Sequence, residues 1–331
     1  MRENRPVISS VARSGRRIAL AWALAACASL AAGAASGQTY PSRPVRIVVP
    51  APPGGIADLL ARAIADKLGQ QWKQPVVIDN RPGAQQVVGT AAAARATPDG
   101  YTLLLLVDSA LTMLPHATQK LPYDPRALTP VAMLANAPAV LVASASVPVS
   151  TLPDAIKLAK RTPNSLSIGF STFSTQVAAV LLASQAGVQL INVPYRGTPE
   201  STQGLVAGDI SLAFSVYSAV RNVPKLQILA TTGVQRSAVM PEVPTFEELG
   251  FPGFETGTQM GVAVPTGTPA AIVAKLQADI LSSMAQPEVQ ATVRSMNLDL
   301  MVKPGADWAD VIRRDSEKWR KVIRGAGVSI D

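Results

Sequence analysis

The chain has 331 residues, of which 48% are hydrophobic and 16% are charged. This composition is typical of a compact α/β protein and excludes an intrinsically disordered chain. The length predicts two lobes. The net charge is +8, but half of it comes from the first seventeen residues, and the remaining Lys and Arg are scattered. We therefore predict no nucleic-acid surface.

Residues 1–37 have the pattern of a cleaved secretory signal peptide. Arginines precede the apolar stretch Ile18–Ala35, and small residues close it. A membrane anchor is the alternative, because the stretch approaches the roughly 20 residues that span a bilayer, but its polar exit favours cleavage near Gln38. Leu24–Cys27 resembles a lipobox, so a lipid tether at Cys27 is a second alternative. Cleavage predicts a periplasmic protein without any cysteine, and therefore without disulfides.

After the signal peptide, short β-rich runs alternate with helical patterns, which is typical of parallel α/β units. Val45–Val49 predicts a buried strand, and apolar residues that recur from Ile56 to Leu68 predict an amphipathic helix. The elements predicted next are strands at Val76–Ile78 and Tyr101–Val107 and a helix at Val87–Ala96.

A second set of elements follows the Pro-rich segment Leu121–Pro125. Two apolar runs interrupted at Asn136–Pro138 predict a crossing between lobes, and Val262–Val264 predicts a return to the first lobe. The last seventy residues are predicted to be helical, with Thr268 capping one helix. Between the crossings we predict helices at Leu152–Lys160, Thr175–Ala186 and Pro199–Ala207, and strands at Leu166–Phe170, Leu190–Val193, Ile210–Val216 and Leu226–Thr231.

These elements predict an α/β fold with two doubly wound lobes joined by two crossings. Lobe 1 is discontinuous and comprises residues 38–138 and 257–331, whereas lobe 2 comprises residues 139–256. Ligands of open α/β sheets bind beyond the carboxyl ends of the strands, so we expect the site in the cleft between the lobes.

The residues needed for most enzyme chemistry are missing from the sequence. His116 is the only histidine, and it stands in a loop-like stretch beside Pro115. There is no nucleophile-elbow motif, no dinucleotide or phosphate-binding glycine motif and no cluster of metal-ligating residues. We therefore predict a binding protein without catalytic residues, metal or cofactor.

The turn between the first strand and the first helix is the leading candidate for a binding site. Gly54 and Gly55 allow a close approach of the backbone, and the amides from Gly55 through Ile56 and Ala57 to Asp58 belong to a first helical turn that lacks acceptors. Such a turn suits a carboxylate or phosphate. We interpret the Asp58 side chain as a cap or a lobe-bridging group. The alternative is a tight turn without a ligand.

Hydroxyl side chains recur where other predicted strands end. Each Ser or Thr alone is more often a helix cap, but their coincidence on one face favours recognition of a polar solute. The residues concerned are Ser109, Ser171, Thr172, Ser174, Thr175, Tyr195 and Ser215.

From Tyr40 to the C-terminus the chain resembles the substrate-binding proteins of tripartite tricarboxylate transporters, the Bug family. Eight segments follow the order found in that family. They are Tyr40–Pro44, Pro50–Gly55 with Asp58, Asp79–Ala84, Pro98–Leu104, Leu121–Pro125, Val193–Gly197, Pro241–Thr245 and Pro265–Pro269.

The resemblance implies a periplasmic-binding-protein-like fold, or Venus flytrap, that closes on a small organic acid and delivers it to integral-membrane transporter subunits. In the family the first loop, here Gly54–Asp58, holds one carboxylate, and the second lobe discriminates between ligands, here through Ser171–Thr175, Tyr195 and Ser215. We expect a monomer. A periplasmic sensory receptor for the same ligands is the alternative function, and a hydrolase or isomerase with an unrecognised site is a third.

The chain departs from the family at several positions. Gln85–Val87 replaces a frequent Gly-Gly-Asn, and Gln259 replaces a frequent Trp. Ser215 stands where an Asp is frequent, which removes a partner for a ligand ammonium. We therefore expect an organic acid without an amino group.

Overall fold

The computed structural model describes residues 40–118, 120–233 and 235–328. The described residues from Arg43 onwards form one compact unit, which contains every described helix and strand. The other unit ends at Ser42, and the structure describes only its last three residues, where the Tyr40–Pro41 peptide bond is cis. The predicted signal peptide, including Cys27, lies outside the described residues and stays a prediction. No helix of the described part is long and apolar enough to cross a bilayer.

Strands and helices alternate along the compact unit. Runs rich in Val, Ile and Leu form strands because branched side chains pack well on a pleated surface. The strands are β1 (Val45–Val49), β2 (Val76–Asn80), β3 (Thr102–Val107), β4 (Leu128–Ala137), β5 (Ala139–Ser144), β6 (Ser167–Phe170), β7 (Ile191–Pro194), β8 (Leu212–Val216), β9 (Leu226–Thr231), β10 (Thr258–Pro265) and β11 (Asp299–Pro304).

The helices differ greatly in length. Several begin with a proline in their first turn, where its missing N–H costs nothing. They are α1 (Ile56–Trp72), α2 (Val87–Ala94), α3 (Ser109–Thr112), α4 (Leu114–Ala117), α5 (Leu152–Arg161), α6 (Phe173–Ala186), α7 (Thr198–Ala207), α8 (Tyr217–Val220), α9 (Ala270–Met284), α10 (Pro287–Ser295) and α11 (Gly305–Ala326), with short 3-10 turns at Ala84–Gln86 and Pro125–Ala127.

The strands form two mixed sheets. The first has the order β11-β4-β10-β3-β1-β2, in which β1, β2 and β3 are parallel and β10 is antiparallel to β3 and β4. The second has the order β7-β6-β8-β5-β9, in which β6, β7 and β8 are parallel and β5 is antiparallel to β8 and β9. The prediction of an α/β protein with two lobes is confirmed.

Two crossings connect the sheets at the edges where the parallel strands end. The chain leaves β4 through Pro138 and starts β5 at Ala139, which pairs with Val216 at the end of β8. It returns through residues 232–257 and starts β10 at Thr258, which pairs with Ala137 at the end of β4. The carboxyl ends of β1–β3 and of β6–β8 therefore lie at the sheet edges where the chain crosses, and β3 and β8 are the parallel strands next to the crossing strands β10 and β5.

The long helix α11 packs on the cores of both sheets. Trp308 and Ile312 belong to the apolar cluster that contains Val48 of β1 and Leu104 and Leu106 of β3. Further along α11, the buried residues Trp319 and Ile323 belong to the apolar cluster of the second sheet. That cluster also contains Ile168 of β6 and Phe214 of β8.

Two expectations about the C-terminal part are wrong. The last seventy residues are not all helical, because β11 pairs with β4 as an edge strand of the first sheet. Thr268 does not cap a helix, because α9 starts at Ala270 after Pro269, and the Thr268 hydroxyl donates instead to the carbonyl of Pro265 at 2.7 Å. The predicted residue boundaries of the two lobes stay predictions.

Candidate functional site

The turn that follows β1 is held by the side chain of Asp58. Gly54 has φ of 80°, a conformation that favours glycine. Its amide donates to Asp58 Oδ2 at 2.9 Å, and the amide of Gly55 lies 3.4 Å from the carbonyl oxygen of Pro52. Gly54 therefore shapes the turn, but its N–H is already engaged.

Asp58 is buried, and all of its partners belong to the first sheet and its helices. Its Oδ2 also accepts from Nε of Arg62 at 2.9 Å, and its Oδ1 accepts from Nδ2 of Asn80 at 2.9 Å. The hydrogen bond from Arg62 is the main reason that the pKa of Asp58 falls to about 2. The carboxylate braces the turn from inside one lobe, so the interpretation of Asp58 as a lobe-bridging residue is wrong.

Three main-chain donors remain at the start of α1. The first intrahelical bond runs from the amide of Leu59 to the carbonyl of Gly55. The amides of Ile56, Ala57 and Asp58 precede it, so they have no acceptor within the helix. The Gly55 N-cap offers no side-chain cap. The predicted donor set thus narrows to three amides, whose partial positive charge is reinforced by the helix dipole.

Ser109 lies at the same edge of the first sheet, directly after β3. It is buried at the start of α3 and follows Asp108, which is also buried. Asp108 exchanges two hydrogen bonds with Gln259 of β10, since its amide donates to the Gln259 carbonyl at 3.0 Å and its Oδ1 accepts from the Gln259 amide at 3.1 Å. Burial, followed by the charge of Asp315, raises the pKa of Asp108 to about 8.

Gln259 also ties the return crossing to α11. Its Nε2 donates to Asp315 Oδ2 at 3.0 Å, and its Oε1 accepts from Trp308 Nε1 at 2.9 Å. Burial raises the pKa of Asp315 and lowers that of Lys318 on the same helix. Sequence reasoning missed this buried network, and the only signal was the replacement of a frequent Trp at Gln259.

At the second sheet, Thr172 and Thr175 cap α6. Thr172 Oγ1 accepts from the amide of Thr175 at 3.2 Å, and the amide of Thr172 donates to Thr175 Oγ1 at 3.0 Å. The amide of Ser171 also donates to Thr175 Oγ1, at 3.1 Å. The alternative reading of these threonines as helix caps is therefore what the structure shows. Ser174 is half-buried in the first turn of α6.

Tyr195 packs between two glycines rather than standing free at the sheet edge. A Cβ at Gly169 would lie 3.2 Å from Cε2 of Tyr195, and a Cβ at Gly204 would lie 3.0 Å from its Cζ and collide with its hydroxyl. The ring thus lies under α7, on the side of the apolar cluster formed by Val140, Leu205 and their neighbours. A contact between Tyr195 and a ligand stays a prediction.

Ser215 is the last of the predicted site residues along the chain and lies in β8. It is only 4% exposed, and its hydroxyl oxygen has no hydrogen-bond partner among the residues that the structure describes. A buried hydroxyl without a partner costs free energy, so this hydroxyl is available to pair with a water molecule or a bound solute. Ser201, on the first half of α7, is likewise buried with an unpartnered hydroxyl.

The predicted residues fall into two groups, one at each sheet. The Gly54–Asp58 turn and Ser109 follow strands of the first sheet. The other group belongs to the second sheet, where Ser171–Thr175 follow β6, Tyr195 follows β7 and Ser215 lies in β8. Both groups lie at the edge of their sheet where the parallel strands end. A separate cavity of about 300 Å³ lies on the β11 side, lined by Asn136, Gly257 and Asp299 among others, and contains none of the predicted residues. Over the described residues, no group of three or more His, Cys, Asp or Glu is placed to hold a metal ion.

This arrangement, with two α/β lobes and polar groups at the strand ends beside two crossings, defines a two-lobed solute-binding protein. The family model described as "Tripartite tricarboxylate transporter family receptor" matches residues 60–328. The chain belongs to this family of solute-binding receptors, and the predicted resemblance is confirmed.

Individual relatives agree with this assignment. The chain is 34% identical over 320 residues to a protein encoded in the tcbD-tcbE intergenic region of Pseudomonas sp. strain P51, covering 95% of both chains. It is 31% identical over 306 residues to BugT of Bordetella pertussis, covering 89% of this chain and 93% of BugT. Among solved structures, R. palustris Rpa4515 with adipate superposes with a TM-score of 0.77 at 28% identity, covering 88% of this chain and 99% of the other.

Proposed function

We propose that the protein is a periplasmic receptor that captures a small organic carboxylate between its lobes and delivers it to a membrane transporter of the tripartite tricarboxylate type. The observation that carries the proposal is the turn after β1. There the buried carboxylate of Asp58 accepts a hydrogen bond from the amide of Gly54. The amides of Ile56, Ala57 and Asp58 at the start of α1 have no acceptors in the helix.

The second lobe supplies the selectivity in this proposal. Ser215 places an unpartnered buried hydroxyl at the end of β8, and Ser174 lies in the first turn of α6. Neither is charged, so this edge suits hydrogen bonding to a neutral or anionic group rather than pairing with an ammonium. A ligand without an amino group follows, and the adipate in the structure of Rpa4515 supports this class.

The remaining features of the proposal come from the sequence. The lobes would be residues 38–138 with 257–331 and residues 139–256, and the signal peptide 1–37 would be removed on export. The receptor would act as a monomer, without catalysis or a cofactor. Its proposed contacts to the ligand are amides and hydroxyls, which suit reversible binding of a solute.

A thermal-shift screen of the purified mature protein tests the ligand class. The panel contains mono-, di- and tricarboxylates, aromatic acids and amino acids, with neutral sugars as controls. A carboxylate at 100 times its dissociation constant should stabilise the fold by about 2.7 kcal/mol. Stabilisation by neutral sugars and by no carboxylate would contradict the proposal.

Ile56→Pro tests the site itself. Ile56 is the first residue of α1, where proline is tolerated, and the preceding Gly55 has φ −72° and ψ 163°, which suits a residue before proline. The substitution deletes one proposed donor, so carboxylate affinity should fall roughly ten- to hundredfold, the worth of about 1.5–3 kcal/mol for a hydrogen bond to a charged group. Ile56→Ala removes the same side chain but keeps the amide, and serves as the matched control. Equal affinities of the two variants would place the carboxylate elsewhere.

A further inference from the structure

The proposed carboxylate site contains a fixed negative charge of its own. Asp58 contributes one of the three amides that have no acceptor in the helix, yet its side chain is buried and only 2% exposed. With a pKa of about 2 it stays ionised at any pH at which the protein operates. A ligand carboxylate at the start of α1 would meet the repulsion of this second anion, and burial would increase that repulsion.

Arg62 lies one helical turn beyond Asp58 and offsets its charge. Its Nε donates to Asp58 Oδ2 at 2.9 Å, and its Nη2 lies 3.4 Å from Oδ1 of Asn80. Half of the Arg62 side chain is exposed, whereas Asp58 is almost wholly buried. The guanidinium therefore covers the carboxylate on its solvent side, and the pair has no net charge.

Asn80 completes the brace from the end of β2. Its Nδ2 donates to Asp58 Oδ1 at 2.9 Å and to the carbonyl of Ala51 at 3.0 Å. The carbonyl side of its amide faces Arg62, so Arg62 orients Asn80 as well as neutralising Asp58. The turn is thus fixed at Ala51 and at Gly54 by side chains that all connect to Arg62.

We infer that Arg62 is a positioning and charge-compensating residue for the proposed carboxylate site, and that it makes the site receptive to an anion without contacting the ligand. This inference rests on the proposed function. Arg62 acts through Asp58, because removing the guanidinium would leave an unpaired buried carboxylate next to the incoming ligand.

The test measures the dissociation constant of the tightest carboxylate from the screen by calorimetry. The proteins compared are the wild type, Arg62→Gln, Arg62→Lys, Asp58→Asn and the double variant Asp58→Asn/Arg62→Gln. Arg62→Gln leaves one uncompensated charge and should weaken binding about ten- to hundredfold. Arg62→Lys restores the charge and should recover most of that loss.

The double variant separates compensation from direct contact. Asp58→Asn keeps an oxygen acceptor for the amide of Gly54 but removes the charge, so binding by the double variant should be several-fold tighter than by Arg62→Gln. A direct contact between Arg62 and the ligand would leave the double variant much weaker than the wild type, although the pair carries no net charge in either protein, and would overturn the inference. Salt provides a second readout, because the defect of Arg62→Gln should shrink as ionic strength rises.

The outcomes distinguish the two proposals. Wild-type protein that binds no carboxylate would overturn the proposed function and this inference with it. If the wild type and Arg62→Gln bind a carboxylate equally tightly, only the role of Arg62 is overturned and the proposed function stands. The melting temperature of each ligand-free variant identifies any loss of affinity that comes from unfolding.

Discussion

Replacing Asp108 by Asn is expected to flatten the pH dependence of stability between about pH 4 and pH 8. Burial raises the pKa of Asp108 from 3.8 to about 8, so in this range the folded chain holds a proton that the unfolded chain has lost. The free energy of unfolding of the wild type therefore falls as pH rises, by at most about 1.4 kcal/mol per pH unit from this group. Above about pH 8 both states have lost the proton, and the contribution levels off.

The neighbours of Asp108 modify the slope in known directions. Asp315, whose pKa is also raised by burial, adds a fall of the same sign. Lys318, whose pKa burial lowers, acts in the opposite direction and at higher pH, because the unfolded chain then holds a proton that the folded chain has released. Asn at position 108 keeps an oxygen that can accept from the amide of Gln259 at the place of the present 3.1 Å bond.

Urea unfolding at pH 5, 6, 7 and 8 measures the effect, with the fluorescence of the buried Trp72, Trp308 and Trp319 as the signal. The Asp108→Asn variant should lose less stability between pH 5 and pH 7 than the wild type. Asp310→Asn, at an exposed position of α11, controls for the change in net charge. Identical slopes for Asp108→Asn and the wild type would mean that Asp108 is already ionised in the folded protein, and the reasoning would be refuted.

Two glycine substitutions test close packing at the candidate site. Gly204→Ala should destabilise the fold by about 1–3 kcal/mol, because the new methyl group collides with the Tyr195 hydroxyl. Adding Tyr195→Phe in the same chain removes that hydroxyl and should recover part of the loss. Thermal unfolding that shows no recovery would contradict the contact. Gly89→Ala should lower the free energy of unfolding by a similar amount, because its Cβ would lie 2.8 Å from backbone atoms of Pro50 and Arg81. Gly325→Ala is the control: the space around this residue of α11 is open, so the substitution should raise the free energy of unfolding by about 0.5–1 kcal/mol. Equal effects of these last two would show that packing around Gly89 is not the cause.

The elements with a strong local pattern could be predicted from the sequence. The apolar run of β1, the helical spacing of α1 and the two-sided stripe of α11 each follow from side-chain periodicity alone. β11 could not be recognised in this way. Its side chains are largely exposed on an edge strand, so Asp299–Pro304 lacks the apolar alternation that identifies a strand, and only its pairing with β4 defines it.

The position of the candidate site stays a prediction, and its detailed contacts could not be predicted from the sequence. The glycines of the first turn indicated that amides would be presented, but the occupation of the Gly54 amide by Asp58 depends on side-chain geometry. Asn80 lies 22 residues from Asp58 in sequence and Gln259 lies 151 residues from Asp108, so no local pattern connects them. The threonines of α6 illustrate a different limit, because a capping residue and a ligand-binding residue have the same side chain at the same place.

The position of α11 has a consequence for how the chain acquires its structure. The strand β10 and the buried Trp308 reach the first core only from the C-terminal quarter of the chain, and Trp319 is needed by the second core as well. Neither core is complete until the final helix has been synthesised. A polypeptide still emerging from the ribosome thus lacks the parts for stable folding, and under the export proposed above this delay would lengthen the time in which translocation can outrun folding.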